Sequence, residues 1–239
     1  PGVYPIARGE QLSKVIERAG GLTDISFPRG AIFLREELRD RERLQLEELS
    51  RRLETDLATL SLQLAQEEGG KIQSLEFVRE LGEQLRAVEP VGRLVINLPS
   101  LLEQTRQGRR SDLDVTMEDG DRLYIPAQIQ EVTVTGEVFY PTSHLYQKGM
   151  DRTKYVELSG GITRRADEKH IYVVRADGSV ETGSSWFDVS GKNDIQPGDT
   201  IVVPLNVDLV RPIARFASIS KIIFQLAAAA VGAKAIGVF

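Results

Sequence analysis

PGVYPIARGEQLSKVIERAGGLTDISFPRGAIFLR, residues 1–35, lies without a gap over PTSHLYQKGMDRTKYVELSGGITRRADEKHIYVVR, residues 141–175. Eight positions are identical at this offset: Pro1/Pro141, Gly9/Gly149, Lys14/Lys154, Glu17/Glu157, Gly20/Gly160, Gly21/Gly161, Thr23/Thr163 and Arg35/Arg175. A repeat at fixed offset means one small module used twice. In the first copy Leu12, Val15, Ile16 and Ala19 recur at helical spacing. Tyr155, Val156 and Leu158 occupy the matching window, and Asp151 stands where a side chain caps free N–H groups. Both helices run into Gly-Gly, since the residue just past a helix turns left-handed and a Cβ there is strained.

A strand follows in each copy, Ala31–Leu34 and Ile171–Val174. Ala176-Asp177-Gly178-Ser179 predicts a hairpin turn, because Asp-Gly favours positive φ. A second shared signature closes each module: MEDGDRLYIP (117–126) aligns with IQPGDTIVVP (195–204). In both, Gly-Asp ends a tight turn and a β-rich strand runs into proline. The alternating run Glu131–Val138 opens the second copy.

The order V-x-G-x-V-x-x-P, short helix, Gly-Gly, strand, then G-D and a strand into proline resembles SLBB domains, which are small β-grasp-like modules. Two of them before a C-terminal amphipathic helix resemble the Wza-type outer-membrane polysaccharide export proteins. The resemblance covers about 1–35, 93–204 and the tail. The expected fold class is α+β. Module one comprises 1–35 and 90–127, with an inserted αα-hairpin at 36–89; module two is 128–207; a membrane-spanning helix follows at 208–239. Module one has no counterpart of Val132–Phe139, so a fragment or processed product lacking its first strand is expected, without the family's N-terminal export domain, signal peptide or lipidated cysteine.

Leu46, Leu49, Leu53, Leu57, Leu60 and Leu64 form one apolar stripe over 36–66; Ile72, Leu75, Val78, Leu81, Leu85 and Val88 form another before Pro90. Two such helices joined at Gly69-Gly70 read as an antiparallel hairpin zipped along its stripes. It is a self-contained spacer or a docking arm for a neighbour.

From Pro212 to Phe239 the chain is mostly apolar. A 28-residue helix reaches about 42 Å, and a bilayer core is roughly 30 Å. On a helical wheel Arg211, Arg215, Ser218, Lys221 and Gln225 share one face, the expected pore lining. Ile213, Phe216, Ile223, Phe224, Val231 and Val238 lie opposite, toward lipid. Ala214, Ala217, Ala228, Gly232 and Ala235 form a small flank for helix–helix contact. Ile222, Ser220 and Lys234 depart from this pattern. Charges facing lipid are costly, so a polar stripe suits a ring of helices around water. The other reading is a helix packed on the modules or lying flat on a membrane.

The net charge of −5 argues against nucleic acid as a partner. Zero cysteines exclude a thiol nucleophile, a cysteine zinc site and disulfides. His144 and His170 lack metal-ligand spacing, and no nucleophile motif or phosphate loop is present, so no enzyme, metal or cofactor is expected. Arg51-Arg52, Arg109-Arg110 and Arg164-Arg165 read as solvated faces. Trp186 with Tyr172 is a candidate glycan contact, against the alternative of a core tryptophan beside Phe187 and Val189.

The resemblance implies polysaccharide export across the bacterial outer membrane through a homo-oligomeric ring, an octamer in the family. Its expected partners are the polysaccharide chain, outer-membrane lipid and an inner-membrane polysaccharide copolymerase, with periplasmic modules. A membrane-anchored periplasmic glycan-binding or scaffolding module without a pore is the alternative.

Overall fold

The computed structural model describes residues 2–66, 88–109, 111–182 and 194–206. Module one is built on α1 (Leu12–Arg18), a 3-10 turn (Pro28–Gly30), β1 (Ile32–Leu34), β2 (Arg93–Leu94), α3 (Leu98–Arg106) and β3 (Arg122–Tyr124). Its three-stranded sheet has the order β2-β1-β3, antiparallel throughout. Module two is built on β4 (Glu131–Gly136), β5 (Thr142–Leu145), α4 (Arg152–Leu158), a 3-10 turn (Glu168–His170), β6 (Tyr172–Val174), β7 (Val180–Thr182) and β8 (Thr200–Val203). Its order is β5-β4-β8-β6-β7, with β4 and β8 parallel. The mixed helices and sheets are the α+β class expected. β1 and β6 correspond, as do β3 and β8. Among the described residues of module one, no strand lies beside β3 where β4 lies beside β8.

Period-two burial builds each core. On β4 Val132 and Val134 are fully buried while Glu131 faces out. They meet Tyr155 and Val156 of α4 and Val173, Ile201 and Val203 of the sheet. In module one Leu12 and Ile16 of α1 pack on Phe33, Leu98 and Leu101. Of the apolar residues in the α4 window, Tyr155 and Val156 are buried and Leu158 is 56% exposed, because the seven-residue helix ends there and turns away through Gly160 and Gly161.

The local signals act as read. The Asp151 side chain accepts from Lys154 N–H at 2.9 Å. The β6–β7 connection is a hairpin, but only Gly178 takes positive φ (86°). Arg175 and Gly178 close a turn through Gly178 N–H to the Arg175 carbonyl, and Asp177 stays right-handed while accepting from Ser179 N–H and Oγ. α3 is an element that the sequence reading did not anticipate.

α2 (Glu36–Gln66) runs 31 residues, about 46 Å. Exposed pairs such as Arg52–Glu48 (2.9 Å) and Arg43–Asp40 (2.6 Å) line it, weak because water screens them. The chain leaves module one at Arg35 and returns at Gly92, and the two ends are bonded: Arg35 N–H donates to the Gly92 carbonyl at 2.9 Å. Glu42 of α2 accepts from Val91 N–H and Gly92 N–H at 3.1 and 2.8 Å. The hairpin's returning arm lies outside the described residues. Among those residues no helix is long and apolar enough to cross a membrane; the expected tail helix also lies outside them.

Candidate functional site

The repeat places the same ion pair in both modules. The Gly-Asp turn of module one opens with Gly120 at φ 82°, and that of module two with Gly198 at φ 84°. Each aspartate then points back into its module. Asp121 accepts from Arg35 Nε and Nη2 at 2.9 and 2.8 Å and from Glu118 N–H at 2.8 Å. Asp199 accepts from Arg175 Nη1 and from Gln196 N–H, the latter at 2.8 Å. Both carboxylates are 1% exposed, and the arginines 15% and 13%. Arg35 also lies 5.6 Å from the Phe33 ring centroid, so its charge rests on the core. These pairs join the end of β1 to the start of β3, and the end of β6 to the start of β8. They close each module like a clasp.

Hydrogen bonding to Asp121 holds the Arg35 guanidinium above its ordinary range, against desolvation. Burial pushes the Asp199 carboxyl up, and the bonds from Gln196 N–H and Arg175 only partly offset it. Its Oδ1 has no hydrogen-bond partner. Burial pulls Arg175 down, but its bonds to Glu181 and Asp199 outweigh this and hold it above its ordinary range.

A second constellation lies between the modules. Phe27, just before the 3-10 turn of module one, lies over Gly198; a Cβ there would come 3.2 Å from the ring. Arg29 Nη1 donates to Gln196 Oε1 at 2.9 Å. Arg93 of β2 reaches the β6–β7 turn, donating from Nη2 to the Ala176 carbonyl at 3.2 Å. Gly178 is so close that a Cβ would stand 2.5 Å from Arg93 Cζ. Arg93 Nε is buried without a partner, and burial lowers this guanidinium's pKa against the pull of Asp177. The seam is therefore a fixed contact that depends on the side chain missing at Gly178.

Tyr172, expected as a glycan contact, is 1% exposed and packs with Val174 and Val202 on the outer face of the sheet. Burial pushes its phenol up to about 12. The ring is enclosed in this fold. Trp186 lies outside the described residues. So do Arg211, Arg215, Ser218, Lys221 and Gln225, the lipid-facing set Ile213, Phe216, Ile223, Phe224, Val231 and Val238, and the small flank Ala214, Ala217, Ala228, Gly232 and Ala235. Among the described residues no group of three or more His, Asp or Glu could hold a metal. The clasp pairs and the seam are the residues that sequence reading missed. Their signal was present in the identity of Arg35 with Arg175 and of Asp121 with Asp199.

The SLBB domain model matches residues 1–43 and 132–182, the opening stretches of the two modules. Two Escherichia coli proteins described as polysialic acid transport protein KpsD are each 30% identical to this chain over 187 residues. That alignment covers 75% of this chain and 29% of each relative, so the chain spans less than a third of their length. The resemblance to tandem-SLBB proteins of the polysaccharide-export type is thereby shown for this chain.

Proposed function

We propose that this chain is a subunit of a homo-oligomeric ring that exports polysaccharide across the bacterial outer membrane. The observation that carries the reading is a similarity of 187 residues to proteins described as transporting polysialic acid. Those relatives are transport proteins rather than enzymes. Export of this kind needs a rigid conduit and no bond-making step. The clasped modules and the tight seam between them suit a periplasmic wall that keeps its shape while polymer passes.

The tail supplies the membrane exit. Each helix satisfies its own backbone, apolar faces meet lipid and the small flanks meet neighbours. The stripe Arg211, Arg215, Ser218, Lys221 and Gln225 faces the water-filled path. A weakly basic wall lets a hydrated acidic polymer slide while attracting it enough to enter. An octameric ring and an inner-membrane polysaccharide copolymerase as partner are part of the same proposal.

The test is an export assay with Arg215→Glu and Lys221→Glu together. Export of an acidic polymer falls while protein level and assembly are kept. Unchanged export would remove these residues from the pore wall.

A further inference from the structure

Within one chain the modules meet head to tail: the loop of module one, through Phe27 and Arg29, sits on the Gly-Asp turn of module two at Gln196–Asp199. The repeat supplies both halves of this contact a second time. In register, the loop positions recur in module two as Asp167 and Lys169, and the turn recurs in module one as Glu118–Asp121. Among the described residues neither half meets the other module; the turn is held only within its own module, by Arg35. The Lys169 ammonium is exposed, and among the described residues its side chain has no partner; its backbone N–H donates to Asp167 Oδ1. Glu118 is half exposed, touching Arg35 at 3.0 Å.

We propose that the loop Arg164–His170 of one copy docks on the turn Glu118–Asp121 of a second copy, with a Lys169–Glu118 ion pair in place of the Arg29–Gln196 hydrogen bond. This rests on the ring reading and names the faces that would build it. Charge complementarity selects a second copy as the occupant. The cation is kept on the loop, while the neutral amide on the turn becomes a carboxylate. Arg164 and Arg165 add charge to the loop, Arg165 lying 3.7 Å from Glu137 of its own module; Asp119 lies within the turn and Glu36 beside it. Glu168 is the loop's opposing exposed charge. Asp167 is turned inward, 21% exposed and accepting from Lys169 N–H and His170 Nδ1.

The contact differs from its intrachain template in three respects, the first being that the Arg93–Ala176 side of the seam has no counterpart, because α2 begins at Glu36 where module two has its β6–β7 turn. Phe27 has no apolar counterpart in the second loop, and Glu36 lies over Gly120, where a Cβ would be 3.2 Å from its carboxyl carbon. The contact between copies is therefore polar and salt-sensitive, whereas the seam within a copy has an aromatic anchor. Because its two faces differ, it leaves one loop and one turn free at each step, and so builds a ring where the rotation between copies closes and an open filament where it does not; a discrete mass marks closure.

The experiment measures the mass distribution of the full-length chain in detergent at low and high salt. It compares the wild type with Lys169→Glu, Glu118→Lys, the double reversal, and Glu118→Gln as the variant that best preserves the fold. Each single reversal weakens association by about tenfold or more, since like charges then face each other. The double reversal restores it, Glu118→Gln weakens it less, and high salt weakens the wild type. A discrete oligomer that no substitution and no salt alters overturns the proposed faces and leaves the ring standing on others. A wild-type monomer overturns both.

Discussion

Replacing Arg175 by Met should unfasten module two and leave module one intact. Arg175 is 13% exposed and Asp199 1%. Removing the cation keeps most of the side-chain volume but strands a buried carboxylate whose Oδ1 already lacks a partner. Breaking a buried pair from one side costs about 3–5 kcal/mol. Asp199→Asn removes the charge instead; Arg175 keeps Glu181 and the Asp194 carbonyl, and the loss is about 1–2 kcal/mol. With no carboxylate left to strand, the double variant loses about 2–3 kcal/mol less than the two singles added together. Hydrogen–deuterium exchange of β6 and β8 amides measures this, with β1 and β3 as the internal reference. The pH dependence has a definite sign. A carboxyl raised by burial binds more protons folded than unfolded, so its contribution falls as pH rises from the ordinary carboxylate range through the raised value. In Arg175→Met the cation that offsets this is gone, so module two loses protection with rising pH more steeply than wild type, and Asn at 199 flattens the curve. A loss below about 1 kcal/mol, or an equal loss in module one, would refute the clasp.

Two glycine substitutions probe close approach. Gly136→Ala forces φ 93° on an alanine and sets its Cβ 2.1 Å from the Val203 carbonyl oxygen, at the last pair of the β4–β8 ladder. A loss of about 2–4 kcal/mol is expected, read as a lowered midpoint in urea. Gly178→Ala puts an alanine at φ 86° in the β6–β7 turn and its Cβ against the Arg93 guanidinium, so the distance between spin labels on the two modules broadens and β6–β7 loses some exchange protection while the sheet of module one keeps its own. A narrow, unchanged distance would count against the seam.

Much of the fold was legible because its signals are local. Asp151 caps α4, paired glycines stop both helices, and the G-D turns precede strands, each within a few residues. The repeat then doubled every signal. α3 was missed because its nine residues are too short to show a helical period clearly; Asn97 accepting from Ser100 N–H, with Pro99 in the first turn, is the cap that marks it. The clasps were hidden by separation. Arg35 and Asp121 are 86 residues apart, and only the fold brings the two identities into one ion pair. Tyr172 looked available as a strand residue facing away from the main core. Its side of the sheet is buried too, with Val174 and Val202.

The central claim is that identical subunits assemble a ring whose tails make the exit, and the mass of the detergent-solubilised protein with and without residues 209–239 tests it most directly. The account predicts a discrete multi-subunit species that weakens when the tail is removed. A monomer in both cases would contradict it and leave an anchored glycan-binding module as the better description.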